Sequence, residues 1–85
     1  MNLVEKFEDA QKRVKALKAA PSTDSLLELY ALYKQGSVGD VHGERPGMLD
    51  FKGRAKYDAW KQRRGMQKEQ AMEAYVALVD RLTSA

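Results

Sequence analysis

The sequence predicts an all-α fold of four helices in one domain spanning residues 1–85. Three observations carry this reading. Apolar residues recur at intervals of three and four, the repeat of one helix face. Capping residues and Pro or Gly stops divide the chain into four segments. No stretch alternates with period two, and no Asn-Gly hairpin signal is present.

The first helix is expected from about Asn2 to Lys18, with Leu3, Phe7, Ala10, Val14 and Leu17 as its stripe. Asn2 is a suitable N-cap, and Pro21 bars the residue before it from helical geometry. The second helix opens at Ser22 or Thr23, with Asp24 near its positive end. Its apolar residues Leu26, Leu27, Leu29, Tyr30, Leu32 and Tyr33 cover two faces, more than one packing partner needs. Gly36 and Gly39 are expected to end it. Residues 36–50, GSVGDVHGERPGMLD, hold four glycines and a proline and predict a long connection. Its length exceeds that of most loops in compact domains, which argues for a packed or functional loop. The third helix starts after Asp50 and runs to Arg64, with Gly65 as its stop. The fourth starts near Met66 or Gln67 and runs to Leu82. Its stripe is Met72, Tyr75, Val76, Val79 and Leu82, and its N-cap is weak because no Ser, Thr, Asp or Asn precedes Lys68.

Composition narrows the chemistry. There is no cysteine, which excludes disulfides, thiol catalysis and Cys-based metal sites. The lone histidine, His42, lies in the glycine-rich loop, away from any nucleophile motif. No Walker loop and no GxGxxG occurs. The sequence therefore predicts no enzyme, no metal and no cofactor. The apolar runs are too short to span a bilayer, and the opening MNLVEKFED mixes charge with oil too closely for a signal peptide. The expectation is a small cytoplasmic monomer, with at most transient membrane contact.

The net charge of +3 is unevenly placed: residues 52–65 carry six bases and one acid, a local +5. This stretch is either a solvated helix face or an anion site. Tyr30, Tyr33 and Lys34 stand at i, i+3 and i+4 on one helix face. Two phenols and an ammonium so placed can stack on a base, donate to a phosphate and neutralise it. Lys56 and Trp60 form a second i, i+4 pair, and Tyr75 interrupts an aliphatic stripe. Together these residues suit a phosphorylated, base-containing ligand with an apolar part.

From about Phe7 to Leu82 the sequence resembles the acyl-CoA-binding protein family. The resemblance rests on LYALYKQGSVGDV at Leu29–Val41, ERPGMLDFKGRAKYDAW at Glu44–Trp60 and KEQAMEAYV at Lys68–Val76. It implies a four-helix up-down-down-up bundle with a long crossover between helices two and three. It implies a non-catalytic carrier and pool former for medium- and long-chain acyl-CoA esters. The ligand positions carried over are Lys15, Tyr30, Ala31, Leu32, Tyr33, Lys34, Lys56 and Tyr75. Of these, Tyr30, Lys34 and Lys56 are expected on the 3′-phosphate, with the tyrosines framing the adenine. Tyr57 stands where many members have a second tryptophan, Gln67 where a Ser or Thr usually caps, and Gln11 where a small residue is usual. The alternative reading is a basic helical module that binds nucleic acid or a protein through Lys52–Arg64.

Overall fold

Each helix begins where a side chain can satisfy its first free amides. The computed structural model describes residues 1–84. Helix α1 spans Leu3–Lys15, α2 Thr23–Ser37, α3 Phe51–Lys61 and α4 Lys68–Thr83. Asn2 Oδ1 accepts from the Glu5 amide at 2.9 Å, and Glu5 Oε1 accepts from the Asn2 amide at 3.1 Å, a reciprocal capping box. Ser22 Oγ accepts from the Ser25 amide at 3.2 Å, and Asp50 Oδ1 from the Gly53 amide at 2.9 Å. At α4 the Gln67 amide donates to Gln70 Oε1 at 3.2 Å, so Gln70 reaches back to the start of the helix.

Helix ends depart from expectation where the last turn tightens. Helix α1 stops at Lys15 rather than Lys18. The Ala16 amide is shared between the Lys12 and Arg13 carbonyls, both at 3.2 Å, and Leu17 bonds only three residues back. Leu17 consequently lies outside the core cluster. Helix α3 stops at Lys61 rather than Arg64, followed by three-residue turns up to Gly65, whose φ of 89° is left-handed. Gly36 does not end α2. It is a buried helical residue, and a Cβ there would stand 3.2 Å from both Phe7 Cζ and Met72 Cγ. The missing side chain lets α1 and α4 approach α2.

The bundle is up-down-down-up with a long crossover between α2 and α3. Helix α4 packs against α1 and against α2, while α3 packs on α2. Arg13, late in α1, donates to Asp80 and Thr83, late in α4, so these two helices run in the same sense. Gln35, late in α2, donates to the Met66 carbonyl ahead of α4, so α2 and α4 run in opposite senses. The core joins Phe7, Ala10, Leu29, Leu32, Ala71, Tyr75, Leu78 and Val79, with Val14, Val76 and Leu82 packed against its edge. Leu78 was absent from the stripe read on the fourth helix. The crossover is tied down by polar contacts. Gln35 Nε2 and the Gly65 amide both donate to Asp40 Oδ1, and Trp60 Nε1 donates to the Gly39 carbonyl at 2.8 Å.

Candidate ligand-binding site

The two-faced pattern of α2 leaves one of its faces lining a cavity. Helix α4 and α1 supply the other walls, with Tyr75 from the first and Gln11, Val14 and Lys15 from the second. Pro21 closes one end, and Leu26, Leu29, Tyr30 and Tyr33 line α2's side. The volume is about 480 Å³, within the range of small-molecule sites.

Its aromatic wall is ordered by packing. Phe7 meets Tyr75 edge-on at 5.1 Å between ring centroids and lies nearly parallel to Tyr33 at 6.1 Å. Tyr75 is buried, and burial first, then the nearby Tyr33, holds its phenol above the ordinary range. It therefore faces the cavity as a neutral donor, with no hydrogen-bond partner among the described residues.

The cations stand at the margins. Lys56 of α3 places its Nζ 5.3 Å from the centroid of the Tyr30 ring of α2. Lys34 Nζ lies 4.9 Å from the Trp60 ring centroid. Lys56 thus stands beside Tyr30 while the Lys34 ammonium turns to Trp60; neither lines the cavity, whose wall includes Lys15 of α1. Each pairing holds a flexible lysine side chain against an aromatic ring.

Besides Lys34 and Lys56, two more expected positions lie away from the cavity wall. Leu32 is 2% exposed and sits in the core, and Ala31 is 1% exposed and faces the groove between α2 and α3. Neither side chain lines the cavity, because residues one and two places after Tyr30 turn by ~100° and ~200° around the helix. Leu27 likewise turns to the α2–α3 groove, while its neighbour Leu26 turns to the cavity. Val14, Pro21 and Leu29 were not assigned to the site from sequence. Pro21 carries only a helix-stop signal there, Val14 reads as part of the first helix's stripe, and Leu29 as one of the two-faced apolar residues of the second.

The surroundings modify the residues that differ from the resemblance. Gln11 lines the cavity and donates to the Phe7 carbonyl at 3.3 Å. The Tyr57 hydroxyl donates to the Gly43 carbonyl at 3.0 Å and so serves the crossover rather than the cavity. No His, Cys, Asp and Glu group among the described residues is arranged to hold a metal.

Tyrosine hydroxyls, apolar walls and rim cations define a helical binding module for an anion with planar and apolar parts. The acyl-CoA binding protein family model matches residues 4–79. The chain is 55% identical over 76 residues to acyl-CoA-binding protein homolog 1 of Caenorhabditis elegans, covering 89% of this chain and 88% of that one. The crystal structure of acyl-CoA-binding protein 2 from Oryza sativa superposes with a TM-score of 0.91 at 43% identity, over 95% of this chain and 90% of that chain. The solution structure of the yeast acyl coenzyme A binding protein gives 0.72 at 51% identity, over 89% and 88%. This chain belongs to the acyl-CoA-binding protein family.

Proposed function

We propose that this protein binds medium- and long-chain fatty acyl-CoA esters with high affinity and carries them, as a monomer, through the cytoplasm. The observation that carries the reading is the meeting of Lys56 and Tyr30, from two helices, beside an apolar cavity. Tyr30, Lys34 and Lys56 hold the 3′-phosphate, and Tyr33 and Tyr75 frame the adenine with Lys15 close by. The acyl chain continues along Leu26 and the neighbouring surface of α2, outside the cavity's limited volume.

The physical problem of the ligand is its two unlike ends. Fixed ammonium and hydroxyl donors gain ~1.5–3 kcal/mol for each charge-assisted hydrogen bond to phosphate. Each methylene taken out of water adds up to ~0.8 kcal/mol. No step of this breaks or forms a covalent bond, so the role is sequestration and transport. The nucleic-acid alternative loses support from the helix itself. Asp58 there binds Arg45, Arg63 lies 3.7 Å from Glu28, and Lys56 is turned to Tyr30. The bases of this segment are distributed around α3 and the turns that follow it, not aligned on one stripe.

Calorimetric titration of Lys34→Met and Lys56→Met tests the assignment. Each should weaken acyl-CoA binding by ~1.5–3 kcal/mol, roughly 10–150-fold, with little change in folding. Unaltered affinity in both would remove it. A parallel series of chain lengths should gain up to ~3 kcal/mol per four methylenes, then reach a plateau. Equal affinity for free CoA and all esters would leave a nucleotide site alone.

A further inference from the structure

The largest exposed apolar side chains outside the cavity gather at one place. Met48, Leu49 and Phe51 close the crossover and open α3, and they are 77%, 90% and 76% exposed. Gly47 precedes them, and a turn at 48–49 lifts them off the body of the bundle. Asp50 lies among them, but its carboxylate accepts from the Gly53 amide and so is turned onto the positive end of α3. No core role explains the three side chains, and none of them belongs to the core cluster.

Charge decides what covers them. The segment that follows, residues 52–65, carries the +5 excess. Lys52 and Lys56 share one face of α3 at i, i+4, and both are exposed. A second copy of this chain would bring its own basic segment against this one, and like charges oppose that contact. A protruding apolar knuckle beside ammonium groups fits a soft surface with anionic headgroups, where oil enters the interface and lysines meet phosphate.

We propose that Met48, Leu49 and Phe51, with Lys52 beside them, form a docking surface for anionic lipid membranes. Phe51 lies five residues before Lys56, about 7.5 Å along the helix axis. Docking therefore brings the Lys56–Tyr30 rim close to the bilayer surface. Attachment is weak and reversible, because three side chains bury less oil than a single acyl anchor, itself marginal. The docking surface stands on the patch and its charge. Its service to ligand exchange rests on the acyl-CoA reading.

The test is co-sedimentation of the full chain, without ligand, with phosphatidylcholine vesicles containing none or about one third phosphatidylserine. Wild type should bind the anionic vesicles, lose that binding at high salt, and ignore the neutral ones. Leu49→Ser/Phe51→Ser keeps the net charge and should lower vesicle binding by at least about tenfold. Met48→Ser/Leu49→Ser should act in the same direction. Melting temperature and acyl-CoA affinity should hold in both variants. Vesicle binding equal to wild type in both variants, or none by wild type, overturns the proposal. Self-association of wild type that the variants abolish gives the patch to a second copy and also overturns it. Patch-dependent vesicle binding by a chain that binds no acyl-CoA supports docking and removes only the ligand reading.

Discussion

The α1–α2–α4 side and the α3–crossover side are held together by different forces. On the first, Phe7, Leu32, Tyr75, Leu78 and Val79 are buried together, and the aromatic rings touch each other. On the second, the one buried large side chain of α3 is Trp60, and polar contacts carry the rest. Asp40 gathers Gln35 and Gly65, Tyr57 holds Gly43, and Arg45 pairs with Asp58 through two bonds at 2.9 and 2.7 Å. Burial is cooperative, since each side chain depends on its neighbours staying in place. Hydrogen bonds to an exposed loop can open singly. The Lys56–Tyr30 pair lies across the border: Tyr30 belongs to the packed side, and Lys56 to the side that opens more easily.

The sharpest contrast comes from Phe7→Ala. It removes the ring that joins Tyr33, Tyr75 and Gly36 at the meeting of three helices. The expected loss is ~3–5 kcal/mol, a large part of a small domain's stability. Urea denaturation should show one transition at a much lower midpoint. A midpoint equal to wild type would mean that this side is not held by burial.

Trp60→Phe should act locally. It keeps an aromatic ring but deletes the donor to the Gly39 carbonyl, a loss of ~0.5–1.5 kcal/mol. Hydrogen exchange should speed up in residues 38–50 before it changes in α1 or α4. Uniform acceleration across all four helices would erase the distinction between the two sides.

Acid should separate the sides more gently. The Gly65 amide, then Gln35, holds the Asp40 carboxyl below the usual range, and the bond from Arg45 does the same for Asp58. A carboxyl whose folded pKa is depressed adds stability above its unfolded value of ~3.9, and that stability is lost as pH falls through the folded value. NMR spectra below about pH 4 should therefore show loop and α3 resonances shifting before those of the Phe7–Tyr75 cluster. Simultaneous change on both sides would contradict this order.

Most of the local structure was legible in the sequence because its causes are local. Asn2, Ser22 and Asp50 each cap a helix through an amide three residues away. Tyr30, Tyr33 and Lys34 share a face because a helix places i, i+3 and i+4 together. The weak start of α4 was also legible, although the bond from the Gln67 amide to Gln70 was not. Helix ends were harder, because α1 and α3 finish in three-residue turns set by where the chain must go next.

Apart from the two tyrosines, which the sequence already singled out, tertiary structure decided how α2 divides its apolar residues. Leu32 goes to the core, Leu26 and Tyr30 to the cavity, and Ala31 and Leu27 to the α3 side. It also decided that Gly36 serves close approach, since Phe7 and Met72 are distant in sequence and adjacent in space. The ties from Trp60 to Gly39 and from Arg13 to Asp80 span 21 and 67 residues. Periodicity records that a helix has an apolar face, but not which neighbour covers it. That choice comes from packing all four helices at once, where the exclusion of overlapping side chains selects one partner for each face.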